Sequence, residues 1–288
     1  MLDFSSSLTC LSEIEIPAEI DFKIAFEKSR APSKKYAINA DSGMVLDTVG
    51  KDFTCVSHGD FFRNILKTVS DNLEPSDIEN AKPVWNTGRN GGFAMLDLRL
   101  PDMKTTIYSE NITTEIGNRI IALHGVDGLC SNQTHFGAID FFCTNGMVTG
   151  KHTNVKKKNT KGFSLEAFIS ELKRTRSVFY DETAKFQEWS NTSLKGIDVK
   201  SLLNDILSSE RKAQKMFDLF NSEIIDRGCN KFALYSAFTN FASFADERNG
   251  FKIRETGSDH KTLTMWQREL DVNKWIEHDS FTQIGVAA

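Results

Sequence analysis

The chain has 288 residues, of which 40% are hydrophobic and 26% are charged, and its formal net charge is −4. These values exclude a collagen-like, low-complexity or largely disordered chain, and they provide enough apolar material for one large domain or two small ones. The negative net charge also argues against a uniformly basic protein that binds duplex DNA. Five widely spaced cysteines without a CxxC pair favour reduced thiols over a disulfide framework or a zinc ribbon.

The sequence has no feature typical of a membrane or exported protein. No stretch approaches the roughly 18 to 20 uninterrupted apolar residues that a bilayer span needs. The first ten residues, MLDFSSSLTC, have neither a basic start nor a long apolar run. We therefore predict a protein that contacts no membrane and stays in the cytoplasm of the cell that makes it.

The N-terminal half has the patterns of short strands and one helix. Residues 1–30 alternate between apolar and acidic residues around Pro17, which indicates a short strand or an N-terminal arm. Residues 36–39 and 44–49 flank an Asp-Ser-Gly turn and predict a β-hairpin. Ser57 is a suitable N-cap for a helix that ends by residue 72, since the following apolar residues recur at helical spacing.

Between residues 84 and 149 the pattern becomes that of strands separated by glycine-containing turns. The turn at 87–92 leads into a strand at 93–100, which we expect Pro101 and Asp102 to end. Three further strands are predicted at about 116–123, 134–140 and 141–148. The segment therefore predicts a meandering antiparallel sheet within a β-rich region, residues 31–162.

From Ser164 onward the apolar residues recur at helical spacing and predict a long helix of about six turns. A second helix is predicted over 199–226, ended by the glycine at 228, and a third is predicted to begin after Asn230. A last helix follows Lys261. The predicted fold class is therefore α+β: a central antiparallel meandering sheet, followed by a helical C-terminal region, residues 163–288, that packs on the sheet. The two regions form either one domain or two.

Basic residues are concentrated between positions 151 and 176. This window has eight basic and two acidic residues, a net charge of +6 in a chain whose total is −4. Because attraction to phosphate is screened over roughly 8 to 10 Å, such a local excess can bind a polyanion even in an acidic protein. The alternative is a lysine-rich loop that is merely solvated. The residues predicted to contact nucleic acid are Lys151, Lys156, Lys157, Lys158, Lys161, Arg89, Arg99, Arg174 and Arg176.

The densest group of metal-ligand residue types lies in the central strands and includes His124, Asp127, His135 and Asp140. Nitrogen and carboxylate donors could hold zinc or another metal if the turns brought them together. Their spacing matches no structural zinc pattern, and alternation along a strand places neighbours on opposite faces. Neither a GxSxG nucleophile elbow nor a P-loop is present. We therefore expect no cofactor and no nucleotide hydrolysis, and a metal-dependent enzyme is the less favoured alternative.

Three blocks of the sequence are informative about its family: residues 120–128 (IIALHGVDG), 142–148 (FCTNGMV) and 231–241 (KFALYSAFTNF). In sequence and in order, these blocks resemble segments of a family of phage and plasmid proteins called domain of unknown function 932. The second block is similar to the family's Cys-x-Asn-Gly segment. Leu123 stands where the family usually has Ser, and Ser236 precedes Ala237 where an Asn-Ala pair is usual. The resemblance covers about residues 35–280.

The resemblance implies a gene from a mobile element, most often a bacteriophage, expressed in the cytoplasm of a bacterial host. It implies no catalytic residue. The order of a strand-rich centre and then a long helix is also similar to that of single-strand annealing proteins, which assemble as rings; this is an analogy of fold alone. We therefore predict a protein that binds or anneals single-stranded nucleic acid and that can form a homo-oligomer. The alternative is a non-enzymatic phage protein that binds another protein through its helical region.

Overall fold

The computed structural model describes residues 11–140, 146–148, 155–157, 165–248 and 261–285. Strands occupy the N-terminal half and helices most of the C-terminal half, so the predicted α+β class is confirmed. The chain divides into two compact units. Unit 1 comprises residues 1–103, 119–135 and 153–176, and unit 2 comprises residues 104–118, 136–152 and 177–288. None of the described helices is long and apolar enough to cross a membrane.

Unit 1 contains a three-stranded antiparallel sheet whose strands follow one another in sequence order. The predicted hairpin is confirmed as its second and third strands. Its first strand belongs to the segment that the sequence assigns to an N-terminal arm. Ala37, Val49 and Phe53 form a small buried apolar cluster in this region. The strands are β1 (Ile24–Lys28), β2 (Lys34–Asn39) and β3 (Val45–Gly50).

The larger sheet has six strands in the order β4-β5-β6-β7-β8, with β9 paired to β7, and this arrangement confirms the predicted meander. The expectation that Pro101 and Asp102 end a strand is wrong, since β5 continues to Tyr108. The pairing of β4 with β5 stops at Arg99, so the missing N–H of Pro101 removes no bond to β4. The strands are β4 (Lys82–Gly88), β5 (Phe93–Tyr108), β6 (Thr113–Gly125), β7 (Asn132–Asp140), β8 (Gly146–Val148) and β9 (Val155–Lys157).

The predicted helix after Ser57 is confirmed as α1 (His58–Asn72), and a short helix α2 (Pro75–Ile78) follows it. The Ser57 hydroxyl accepts a hydrogen bond from the backbone N–H of Asp60 at 3.0 Å, which satisfies one of the free donors at the helix start. The ring of Phe62 lies 5.1 Å from that of Trp85 on β4. Burial of the Phe62 side chain stabilises the fold by about 1.5 to 3 kcal/mol.

In the described ranges from residue 165 onward, six helices follow the sheet region. The prediction of one helix over 199–226 is wrong, because the chain breaks at Ser208, whose φ of 48° is left-handed. Ser209 then caps the next helix, and serine favours such caps because its hydroxyl competes for backbone donors. The predicted start after Asn230 is confirmed. The helices are α3 (Leu165–Asn191), α4 (Val199–Leu207), α5 (Glu210–Arg227), α6 (Lys231–Arg248), α7 (Lys261–Ile276) and α8 (Asp279–Thr282).

Candidate functional site

Two turns of unit 1 meet at the C-terminal end of β6. One turn, residues 89–92, joins β4 to β5, and the other, residues 126–131, joins β6 to β7. The backbone N–H of Val126 donates a hydrogen bond to the carbonyl oxygen of Gly92 at 2.9 Å. A Cβ atom at Gly92 would lie only 2.6 Å from Oδ2 of Asp127, so this close approach requires glycine.

Arg89 and Asp127 join these turns through a bidentate ion pair. Nε of Arg89 donates to Oδ2 of Asp127 at 2.5 Å, and Nη2 donates to Oδ1 at 3.1 Å. The Asp127 side chain is 1% exposed and that of Arg89 is 15% exposed, so water screens the pair weakly. The left-handed φ values of Arg89 (52°) and Asn90 (54°) show that the turn is strained while it holds this pair. Arg89, predicted to contact phosphate, is thus bound to a carboxylate here.

Cys130 lies beside this ion pair, with its Sγ atom 3.6 Å from Nη2 of Arg89. Burial raises the pKa of the Cys130 thiol above its usual value, and the neighbouring Arg89 only partly opposes that effect. The thiolate is the nucleophilic form of cysteine. Cys130 is therefore a neutral thiol at pH 7 and is not activated for nucleophilic attack.

A buried pair of histidines lies next to the glycine-containing turn. His58, the first residue of α1, and His124, near the end of β6, are both fully buried. Their Nδ1 atoms are 2.8 Å apart, and Nε2 of His58 is 2.9 Å from the carbonyl oxygen of Gly91. The ring of His124 also stacks on Phe61, with 4.4 Å between the ring centres. The pair therefore links α1, β6 and the turn.

Burial lowers the pKa of His58 to about 4 and lowers the pKa of His124 well below its usual value, so both rings are neutral at pH 7. A carbonyl oxygen only accepts hydrogen bonds, and Nε2 of His58 must therefore carry its proton. Nδ1 of His58 then accepts a hydrogen bond from Nδ1 of His124. This assignment leaves a lone pair on Nε2 of His124, an atom with no hydrogen-bond partner among the described residues. The pair therefore acts as a buried structural link of two neutral rings.

The four candidate metal ligands do not converge. Asp127 binds Arg89, and His124 contacts His58. Nε2 of His135 lies 3.2 Å from the amide oxygen of Gln133, and Asp140, which belongs to unit 2, pairs with Arg227. Within the described ranges, no group of three or more histidine, cysteine, aspartate or glutamate side chains is placed to hold a metal ion.

The basic residues predicted to contact nucleic acid are only partly described. Lys156 and Lys157 lie on β9, opposite Gln133 and Asn132 of the neighbouring strand β7. The first part of α3, which carries Arg174 and Arg176, belongs with β9 to unit 1, and Arg174 is exposed. The remaining lysines, Lys151, Lys158 and Lys161, lie outside the described residues.

Arg99 also lies in unit 1, on β5 opposite Lys82. Its side chain is 31% exposed, and its Nε atom is 3.3 Å from Oδ2 of Asp97. Nη1 of Arg119 lies 3.5 Å from the same carboxylate oxygen, so Asp97 neutralises part of the charge on this face. Arg99 therefore combines one carboxylate contact with partial access to solvent.

Sequence reasoning missed two features of unit 1. The role of His58 was missed because its partner, His124, is 66 positions away along the chain. A group of lysines on the three-stranded sheet was also missed, because Lys28 and Lys51 come together only when the strands pair. In the sequence, only the neighbouring residues Lys34 and Lys35 indicated this group.

The comparisons with known proteins agree with the resemblance of the sequence blocks. The family described as Domain of unknown function (DUF932) matches residues 45–283. The match includes both turns, both histidines and the six-stranded sheet. No curated protein and no solved structure matches the chain. Since the matched region covers well over half of the sequence, this chain belongs to the DUF932 family.

Proposed function

We propose that this protein binds single-stranded nucleic acid through the phosphate backbone, and the position of β9 is the observation that supports the proposal most. β9 pairs in antiparallel register with β7, so that Lys157 is opposite Asn132 and Lys156 is opposite Gln133. The centre of the most basic segment is thus part of the large sheet. A lysine whose backbone is fixed in a strand loses less conformational freedom on binding a phosphate than a lysine in a mobile linker.

Further basic residues extend this segment in both directions along the chain. Lys151, Lys158 and Lys161 lie within six positions of β9, and α3 exposes Lys173 and Arg174 soon after it. Lysine contacts to phosphates release counterions and supply affinity that is independent of base sequence. The segment therefore favours binding without base recognition.

The overall charge favours a single strand over a duplex. Outside residues 151–176 the chain is acidic, because the window carries +6 and the total is −4. A duplex presents two phosphate backbones across a broad surface, and the acidic remainder of the chain would repel the second one. A single strand needs only one narrow basic path.

The family assignment extends this proposal to a cellular setting. We propose a phage or plasmid protein that works in the cytoplasm of the bacterial host and promotes annealing in recombination or replication. The α+β fold, with a meandering sheet followed by the 27-residue helix α3, is compatible with the analogy to annealing proteins, and self-association into a homo-oligomer follows from that analogy. No step of this activity requires nucleotide hydrolysis or a cofactor.

A fluorescence-anisotropy titration with labelled single-stranded and duplex oligonucleotides tests the proposal. The variant is Lys156→Ala with Lys157→Ala, and the matched control is Lys200→Ala with Lys212→Ala, two exposed lysines of unit 2. Both variants lose two positive charges, but only the first changes β9. We expect the intact protein and the control to prefer the single strand, and the β9 variant to bind it about tenfold more weakly. Equal affinities of the two variants, or no binding by the intact protein at low salt, would contradict the proposal.

A further inference from the structure

A second basic feature of unit 1 is a pocket on the three-stranded sheet. Its volume is about 420 Å³, which lies within the range of about 300 to 1,000 Å³ that is common for small-ligand sites. The walls combine apolar and basic side chains: Phe26, Pro32, Lys28, Lys34, Lys35 and Lys51. The pocket is formed by β1, β2 and the residues that follow β3, and it includes no residue of β9.

Strand pairing concentrates positive charge at this pocket. Lys28 of β1 lies directly opposite Lys35 of β2, and Phe26 lies two residues from Lys28 on the same face. The Nζ atom of Lys35 is 4.0 Å from the centre of the Phe26 ring, which places the ammonium group beside an aromatic wall. Lys51 is held nearby by a hydrogen bond from its backbone N–H to the carbonyl oxygen of Ser33 at 3.0 Å.

The lysines of the pocket form no ion pair within the part of the chain that is described. Other described lysines do form such pairs; for example, Lys104 binds Glu115 at 2.7 Å and Lys185 binds Glu182 at 2.8 Å. Like charges directly opposite each other on neighbouring strands destabilise a sheet. Four lysines and one glutamate line the pocket and give it a net charge of +3, which no ion pair among the described residues neutralises. An anionic ligand would remove that repulsion.

We propose that this pocket binds a small phosphorylated ligand of the nucleoside diphosphate class. A diphosphate carries a charge of about −3 at neutral pH, because a terminal phosphate has its last pKa near 6, and this charge matches the lining. Lysine ammonium groups are common phosphate ligands and act as point charges. Phe26 and Pro32 provide apolar walls for the ring of the nucleoside. The site contains no residue of β9, the strand proposed to hold nucleic acid, and it binds a free nucleotide.

Isothermal titration calorimetry with ADP as the probe tests this proposal. The test variant is Lys28→Gln with Lys35→Gln, since glutamine keeps two of the four methylene groups of lysine, remains polar and removes the charge. The matched control is Lys200→Gln with Lys212→Gln, and circular dichroism verifies that each variant folds. A third variant, Lys51→Gln, changes an exposed residue beyond β3 and leaves the strand pairing intact.

We expect saturable binding of one ADP per chain, about tenfold weaker in the double variant, weakened in Lys51→Gln and unchanged in the control. Adenosine and pyrophosphate should each bind more weakly than ADP. Absence of ADP binding, equal ADP affinity in all variants, or pyrophosphate binding as tight as that of ADP would overturn the proposal.

The β9 variant separates this proposal from the nucleic-acid proposal. ADP binding that persists in Lys156→Ala with Lys157→Ala supports the pocket even if the oligonucleotide titration fails. The opposite result, in which the pocket variant weakens oligonucleotide binding while ADP does not bind, would assign the pocket to the path of the strand and overturn a free-nucleotide site.

Discussion

A buried arginine of unit 2 and the pocket lysines of unit 1 have different partners. In unit 2, Arg227 is fully buried and contacts Oδ2 of Asp140 at 2.5 Å and Oε2 of Glu223 at 3.0 Å. In unit 1, Lys28 and Lys34 are exposed at the edge of a pocket and form no ion pair among the described residues. Residues of the same charge therefore stabilise the fold in one case and are available for a ligand in the other. The partner of a basic side chain, more than its charge, indicates its role.

Arg89 lies between these two extremes. Its guanidinium binds Asp127, yet 15% of its side chain remains exposed. Four experiments, taken from the largest expected effect to the smallest, test whether buried, paired groups stabilise the fold and whether exposed basic groups are free to bind a ligand.

Removing the buried guanidinium should have the largest effect on stability. Arg227→Met leaves the carboxylates of Asp140 and Glu223 buried without their cation, and we expect the free energy of unfolding to fall by about 3 to 5 kcal/mol. Urea denaturation measures this change. Arg211→Met, an exposed position on the same helix α5, is the control and should change stability by less than about 0.5 kcal/mol. Similar losses of stability in both variants would contradict a stabilising role for the buried ion pairs of Arg227.

The histidine pair should make stability depend on pH. The pKa of His58 is lowered to about 4 in the folded protein, whereas an unfolded chain has the ordinary value of about 6.5. The unfolded state therefore binds more protons between these values, and stability falls as the pH drops from about 6.5 towards 4. The expected loss from His58 is about 3 kcal/mol at the lower end of this window.

Urea denaturation at a series of pH values, with His58→Gln for comparison, measures the contribution of the pair. Glutamine does not titrate, so the variant should lose part of the slope between pH 6.5 and 4. An identical slope in the two proteins would contradict a neutral buried His58.

The Arg89–Asp127 pair should have an intermediate effect. Asp127→Asn removes a charge-assisted, bidentate hydrogen bond, and we expect a loss of about 2 kcal/mol in the free energy of unfolding. The same variant releases the Arg89 guanidinium from its carboxylate. If Arg89 can contact phosphate, Asp127→Asn should also bind single-stranded oligonucleotide more tightly than the intact protein, as measured by anisotropy. Unchanged affinity would assign Arg89 to the structural group.

The exposed pair of Lys104 and Glu115 should contribute least. The two side chains are 45% and 48% exposed, so solvent screens their attraction. Glu115→Gln, the acid-to-amide counterpart of Asp127→Asn, should lower stability by no more than about 0.5 kcal/mol in the same denaturation experiment. If Glu115→Gln lost as much stability as Asp127→Asn, the expectation that buried ion pairs contribute more than exposed ones would be wrong.

The spacing of apolar residues along the sequence predicts much of the fold, because that spacing differs between strands and helices. The hairpin of β2 and β3, the meander, and the helices α1 and α6 all follow from strand or helix spacing with the expected caps. The break at Ser208 was missed, since the apolar residues on either side keep helical spacing and one left-handed residue leaves no signal in that pattern.

The candidate site was harder to predict than the fold. His124 and Asp127 were singled out from the sequence as metal ligands, but their partners, His58 and Arg89, come from distant parts of the chain. Pairing between such positions depends on tertiary structure, and a single sequence contains no record of it. The basic segment was recognised because its lysines are neighbours in sequence, whereas the lysines of the pocket are spread over residues 28–51.

The salt dependence of oligonucleotide binding tests the central proposal most directly. For a single strand, the logarithm of the affinity falls with the logarithm of the salt concentration, with a slope of about −0.7 per phosphate contact. If Lys156 and Lys157 each hold one phosphate, the variant with both changed to alanine should have a slope shallower by about 1.4 than that of the intact protein. The control with Lys200 and Lys212 changed to alanine should keep the slope of the intact protein. Equal slopes for all three proteins would contradict a phosphate-binding role for β9.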